Sequence, residues 1–245
     1  MIRPPAVGDW VVKVGGALAK AGALDGALAV IERLIGAGHK IVIVPGGGEY
    51  ADFIRRHGAE NKLPDETTHL QAILAVCQFG HEIAVKMKNA RTVASATQAR
   101  HALAAGKIPV YLPDGAITDS LAPKGWETTS DAIAGAICRR MGYRRLVLLK
   151  CVDGVMEGGR LLAIAPVALA VQQGIVDPVF PKALGKDWAV YIINGQHPER
   201  LAELIEKGRA EGTRVVKHDC NCVVSRPQLG RSRLRKRKTS SMRRG

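Results

Sequence analysis

The chain has 245 residues, 47% hydrophobic and 24% charged, enough apolar length to bury a sizeable core, which excludes wholesale disorder. No apolar run approaches the roughly 18–20 residues that span a bilayer, Met1-Ile2-Arg3-Pro4-Pro5 lacks a secretory signal's apolar stretch, and the five scattered cysteines form no disulfide framework, so a cytoplasmic protein without a membrane partner is expected. The net charge of +14 is uneven: residues 226–245 hold nine Lys/Arg and no acid, which leaves +5 on residues 1–225.

In chain order the pattern alternates strand and helix. Trp10 to Val14 is apolar and β-branched and ends at Gly15-Gly16, which predicts a strand. Leu24, Leu28, Ile31 and Ile35 share one face of a helix over 23–35, stopped by Gly36 and Gly38. Residues 40–44 form a near-continuous apolar run, as suits a parallel strand covered on both faces. Pro45-Gly46-Gly47-Gly48 then turns the chain into a helix starting near Glu49. Further helices are expected over 67–88, 96–105, 131–141 and 198–208, and further strands over 108–112, 145–149, 190–193 and 213–216. The class is therefore α/β, an open, mostly parallel sheet with helices on both faces. Residues 1–225 read as one domain and residues 226–245, rich in Arg, Lys and Ser without periodicity, as a basic disordered tail.

Two glycine clusters sit at the carboxyl ends of consecutive predicted strands: Val12-Lys13-Val14-Gly15-Gly16 and Val44-Pro45-Gly46-Gly47-Gly48. Ligands of open α/β sheets bind outside those strand ends. Without Cβ, a backbone N–H can approach a phosphate oxygen closely, and the following helix adds unpaired N–H groups and the positive end of its dipole. Either cluster alone is more often only a tight turn. Neither is a Walker A loop or a GxGxxG fingerprint. The pair, with Lys13 two residues before the first glycine, points to two phosphate groups held face to face, as phosphoryl transfer requires. Three further segments stand out: Trp126-Glu127-Thr128-Thr129-Ser130-Asp131-Ala132-Ile133-Ala134, which at its blandest is a helix N-cap; Lys150-Cys151-Val152-Asp153-Gly154-Val155, a strand followed by a turn; and Phe180-Pro181-Lys182.

In this order and spacing the chain resembles the amino acid kinase family over residues 10–216. That resemblance implies a three-layer sandwich, ATP and Mg²⁺ as cofactors, and a homo-oligomer acting on a small phosphorylated substrate. It implies that Lys13 contacts the transferred phosphoryl group, that Gly15 and Gly16 line the donor phosphates, that Gly46, Gly47 and Gly48 hold the acceptor, and that Asp131 organises the lysines. Lys150, Asp153, Gly154 and Val155 match the nucleotide-binding strand end, although Lys150-Cys151 stands where the family commonly has Thr-Asp. Lys182, with Lys186 as the fallback, falls where the family has its second catalytic lysine, but the Gly-Gly-Met stretch that usually precedes it is absent. The run from Pro45 to Asp52, the run Thr68-His69-Leu70-Gln71-Ala72 and the Trp126 segment resemble the branch that phosphorylates an aminomethylfuran-methyl phosphate in methanofuran biosynthesis.

An acceptor that is itself a phosphate or carboxylate is already an anion at neutral pH and needs no general base. The chemistry then consists of bringing two anions together with lysines, backbone N–H groups and Mg²⁺. His69 is a candidate acceptor contact, although a lone His on a helix is more often a packing or surface residue. An aminomethyl group would arrive as an ammonium, for which Glu49, Asp52, Asp65 and Glu66 are the available carboxylates, Asp52 among the acceptor-binding candidates. Acids in a first helical turn also favour the helix dipole, which is their bland role. No metal site on the protein itself is expected, since Cys220-Asn221-Cys222 lacks a Cys/His partner pair at zinc spacing.

Other readings stay open on the sequence alone. The acceptor could be isopentenyl phosphate, a nucleotide or an amino acid. The fold could instead store an oxoanion or sense a metabolite without catalysis. The tail could bind nucleic acid through its charge, but it lacks aromatic residues for base stacking.

Overall fold

The computed structural model describes residues 9–113 and 129–217. Strand β1 (Trp10–Val14) and β2 (Ile41–Pro45) are buried at every position, as the apolar runs require of strands covered on both faces. Between them lie α1 (Ala17–Lys20) and α2 (Leu24–Gly36). After β2 come α3 (Gly48–Glu60), α4 (Asp65–Lys86), β3 (Ala90–Val93), α5 (Ala96–Ala104) and β4 (Ile108–Tyr111). The second half holds α6 (Ser130–Met141), β5 (Arg145–Lys150), a small hairpin of β6 (Met156–Glu157) and β7 (Arg160–Leu161), then β8 (Ile164–Pro166) and α7 (Val167–Gln172). It closes with α8 (Phe180–Ala183), β9 (Ala189–Asn194), α9 (Glu199–Lys207) and β10 (Thr213–Val216).

Eight strands form the main sheet in the order β3-β4-β2-β1-β5-β9-β10-β8. All neighbours are parallel except β9 and β10. The period of two along each strand sorts the side chains into two cores. Val11, Val42, Val44, Leu146 and Leu148 face α5, α6 and α7; Val12, Val14, Ile41, Ile43, Val147 and Leu149 face α2, α4 and α9. The result is the expected three-layer α/β/α sandwich. Strand β1 lies between β2 and β5, so the chain leaves it toward both edges of the sheet. This is the switch point at which open α/β sheets leave a crevice at their carboxyl ends.

The expected elements are all present, with ends shifted by a residue or two. The sequence pattern under-counts the sheet. Strand β3, the β6–β7 hairpin and β8 are two to four residues long, and β3 carries the polar pair Arg91-Thr92 at a sheet edge. Such short edge strands are set by a neighbour's free hydrogen-bonding groups more than by their own apolar pattern. No helix among the described residues is long and apolar enough to cross a membrane.

Candidate active site

The glycine loops meet at the carboxyl ends of β1 and β2. The register pairs Val14 with Pro45 and so brings the loops level. Gly46 N–H donates to the Val14 carbonyl (2.8 Å), and Gly15 N–H to the Leu149 carbonyl on the other side (3.0 Å). The loops then touch backbone to backbone. A Cβ on residue 16 would lie 2.1 Å from the Gly48 nitrogen, and one on residue 46 would lie 2.6 Å from the Gly16 nitrogen. Gly48 also has φ of +55°, a left-handed conformation that L side chains avoid. The helices α1 and α3 start from these loops, with Gly16 and Gly47 as N-caps that offer no side-chain bond to the first N–H groups. At α1 the N–H groups of Leu18 (3.1 Å) and Ala19 (3.2 Å) already donate to the Gly15 and Gly16 carbonyls, so it is the start of the longer α3 that offers an anion the positive end of a helix dipole.

Helix α6 starts beside them. Thr129 caps it and accepts from Asp131 N–H (3.4 Å), and Asp131 sits in the first turn, 3% exposed. On β1, Lys13 shares the parity of Val11 and therefore faces α6. On β5, Lys150 shares the parity of Leu146 and Leu148 and faces the same helix. Both ammonium groups reach the Asp131 carboxylate: Lys13 Nζ lies 3.0 Å from Oδ1 and Lys150 Nζ 2.5 Å from Oδ2. The Lys13 contact is a buried ion pair. Burial on its own would raise the Asp131 pKa, but the two lysine charges outweigh it and hold the carboxyl below its usual value. Burial, followed by the charge of Lys13, lowers the pKa of Lys150, and Asp131 opposes both. Two cations thus share one anion in a poorly solvated place, with the charge of Asp177 also reaching Lys150.

Asp177 is a residue that sequence reading missed. Its Oδ2 accepts from the Thr129 hydroxyl (2.7 Å) and from the N–H groups of Thr129 (3.3 Å) and Ala132 (3.0 Å); its Oδ1 accepts from Val179 N–H (3.0 Å) and Phe180 N–H (2.6 Å). It therefore ties the starts of α6 and α8 together. Burial, with the nearby Asp131 charge, raises its pKa. Asp177-Pro178 is a helix-start pattern, an acid at the cap before a proline, and that signal could have found it.

A cleft of about 380 Å³ opens beside the loops. The N-terminal residues of α1, α3 and α6 line it (Gly16, Ala17, Gly47, Gly48, Thr129 and Ser130), and Ala72, Ile73, Val76 and Ile133 make an apolar wall. His69, 4% exposed, lines it as well. Of the candidate acids, Glu49 and Asp52 line the cleft; Asp65 and Glu66 do not. Asp52 is paired with Arg55 at 2.8 Å, with both side chains largely exposed. Lys20 and Arg55 add positive charge at the cleft and were not singled out from the sequence.

The remaining candidates fall elsewhere. Lys182 is on the outer side of the four-residue α8, and Lys186 is exposed just beyond it; neither is among the groups that contact Asp131. Asp153 accepts from the Asn194 amide (3.1 Å) and pairs with Arg200, and these partners lower its pKa. Gly154 and Val155 pack against β10: Val155 N–H donates to Thr213 Oγ1 (2.9 Å), and the Val155 side chain is fully buried. Trp126, Glu127, Thr128, Cys220, Cys222 and the basic tail lie outside the described residues. Among the described residues, no group of three or more His, Cys, Asp and Glu could hold a metal ion.

The model of the amino acid kinase family matches residues 10–162, more than half of the chain. The chain belongs to the amino acid kinase family. It is accordingly a phosphotransferase. Among its relatives, this amino acid kinase is 28% identical over 182 residues to the [5-(aminomethyl)furan-3-yl]methyl phosphate kinase of Methanocaldococcus jannaschii, covering 72% of this chain and 84% of that protein. It is 27% identical over 220 residues to the uridylate kinase of Methanospirillum hungatei, covering 79% and 87%. Among solved structures, the UMP kinase of Bacillus anthracis superposes with a TM-score of 0.70 at 16% identity, covering 89% of this chain and 98% of that one. The uridylate kinase of Archaeoglobus fulgidus superposes with a TM-score of 0.66 at 17% identity, covering 85% and 100%. At such identities the superpositions show the amino acid kinase fold and nothing finer.

Proposed function

We propose that this amino acid kinase transfers the γ-phosphoryl group of ATP to the phosphate of a small phosphomonoester, an aminomethylfuran-methyl phosphate, forming a diphosphate for a methanofuran-type cofactor. One observation carries the reading: two glycine loops in backbone contact, with two lysines on one buried carboxylate at their back. Gly15 and Gly16 take the donor phosphates, and Gly46 to Gly48 with the start of α3 take the acceptor phosphate. An acceptor oxygen forms the new bond to the γ-phosphorus while the bond to the β,γ-bridging oxygen breaks, and that electron pair leaves on ADP. The attacking oxygen is already ionised, so no proton has to move. Catalysis comes from position and from charge placed in advance.

Mg²⁺ fits this site as an ion carried by the nucleotide phosphates, where it would offset their charge. The nearby carboxylates are already occupied, Asp131 by lysines and Asp177 by N–H and O–H donors. Asp153, held by Asn194 and Arg200 at the end of β5, belongs to the nucleotide side of this reading. The substrates imply a cytoplasmic enzyme, and the family resemblance carries the proposal of a homo-oligomer.

The cleft supports the choice of acceptor. Its described wall is aliphatic, with no Asn or Gln among the described lining residues to read a pyrimidine edge, which favours a furan-sized apolar body over uracil. His69 closes the cleft beside the acceptor. Glu49 lines the cleft and makes no ion pair among the described residues, whereas Asp52 already pairs with Arg55, so Glu49 is the partner for the substrate ammonium. The test is ADP release with the aminomethylfuran phosphate, isopentenyl phosphate, uridine monophosphate, acetylglutamate and aspartate. The first should win by kcat/KM. An exposed ion pair is worth little, so Glu49→Gln should raise its KM by roughly two- to fivefold and leave the KM for ATP unchanged. Preference for uridine monophosphate would move the assignment to a uridylate kinase.

A further inference from the structure

Lys150 stands where the family commonly has a threonine, at a strand end expected to meet the nucleotide, yet its ammonium is turned onto Asp131. Strand parity dictates this. Leu146 and Leu148 point into the core under α6, so position 150 points at the first turn of α6. The main-chain carbonyl of Lys150 is fixed by Gly195 N–H (2.8 Å), which sets where the side chain leaves the sheet. Its side chain is 18% exposed against 6% for Lys13, so of the two it is the more open to solvent.

We infer that Lys150 is a catalytic residue, the second cation that receives the transferred phosphoryl group, in place of a lysine on α8. The inference rests on the phosphoryl-transfer reading above and deepens it. Two ammonium groups share one buried carboxylate, and an added anion between them would relieve the excess positive charge. Asp177, the other acid whose charge reaches Lys150, is already bonded to five donors at the starts of α6 and α8. The transferred phosphoryl group, with negative charge on its three outer oxygens, supplies the missing anion. It does so most strongly in the transition state, where Lys13 and Lys150 would flank it. Lys182 and Lys186 are exposed and off this carboxylate, so the pairing that the family resemblance assigned to α8 is made here from β5.

The test separates catalysis from nucleotide binding. Lys150→Met keeps the length of the side chain and leaves Asp131 its pair with Lys13. It should lower kcat by at least ~100-fold, while the KM for ATP changes by less than about fivefold. Lys150→Arg should retain part of kcat. In the wild-type enzyme, deprotonation of Lys150, which faces Lys13, Asp131 and Asp177, should appear as an alkaline limb in kcat/KM. Arginine keeps its proton, so this limb should move to higher pH in Lys150→Arg. That shift also carries the test if the methionine variant lacks a normal melting transition. A folded Lys150→Met enzyme with kcat within about threefold of wild type and a raised KM for ATP would make Lys150 a nucleotide contact and overturn the inference. So would an unmoved alkaline limb, or a Lys182→Ala enzyme that loses kcat while Lys150→Met keeps it. A wild-type enzyme that releases no ADP with any acceptor overturns the kinase reading itself, and this inference with it.

Discussion

Asp131 shows what a single residue does here. It is buried, it carries charge, and its side chain is useful only because two lysines arrive from different strands. A buried ion pair of this kind adds little net stability, but removing one partner leaves buried charge uncompensated, at about 3–5 kcal/mol. Asp131→Asn should therefore lower the melting temperature and abolish most turnover, since both ammonium groups lose their fixed position. The pH dependence follows from the lowered pKa. A carboxyl with a lower pKa in the folded than in the unfolded chain stabilises the fold fully above its unfolded value of 3.8. That contribution is lost as pH falls through the folded value. Thermal melts from pH 6 down to about 3 should show the wild type losing its advantage over Asp131→Asn. A gap between the two that stays constant through this range would remove Asp131 from the acid-labile contacts.

At the scale of elements, the glycine loops act through their contact with each other as well as through exposed N–H groups. The sequence suggests that a bulky residue at 47 would stand in the path of the phosphate. In the fold, a Cβ there points back at the Ala51 side chain, 2.3 Å away, so the substitution would distort the start of α3. Position 16 is the sharper probe. A single methyl group would meet the Gly48 backbone at 2.1 Å, and a loop that yields to it would separate the proposed donor and acceptor halves of the site. Gly16→Ala should lower the melting temperature, because backbone has to move to admit the methyl group, and should lose about 100-fold or more in kcat/KM. Calorimetric binding of ATP and of the acceptor, each measured alone, would check this. Normal affinity for both together with normal turnover would mean that the loops are not read as a pair.

At the scale of the whole molecule, charge is divided from chemistry. The body of the chain carries +5 and the segment 226–245 nine positive charges with no acid. The lysine cluster, the loops and the described lining of the cleft lie within residues 13–150, and of the later residues Asp177 ties the start of α6 to that of α8. Deleting residues 226–245 should leave kcat and both KM values within about twofold and weaken any retention on a polyanion column, with a steep salt dependence in the full chain only. A large loss of turnover on truncation would place the tail in the site.

The class of fold, the order of the long elements and the two glycine loops were legible in the sequence because each is a local matter. The apolar run 40–44 can only be a covered strand, and a triple glycine between strand and helix states its own lack of Cβ. Lys13 and Asp131 were legible through the family resemblance. The partner of Asp131 was not. Lys182 sits in a proline-bounded loop that looks functional, while Lys150 looks like the last residue of a strand. Only the register of β5 beside β1, Lys13 opposite Leu148, puts position 150 on the face and at the height of α6. Asp177-Pro178 is legible as a helix start, but the bonds that Asp177 accepts from Thr129 and Ala132, 48 and 45 residues away in sequence, exist only in the fold. Helices and loops are specified by neighbours along the chain. A charge cluster is specified by which strand ends lie side by side, and that is settled only when the sheet forms.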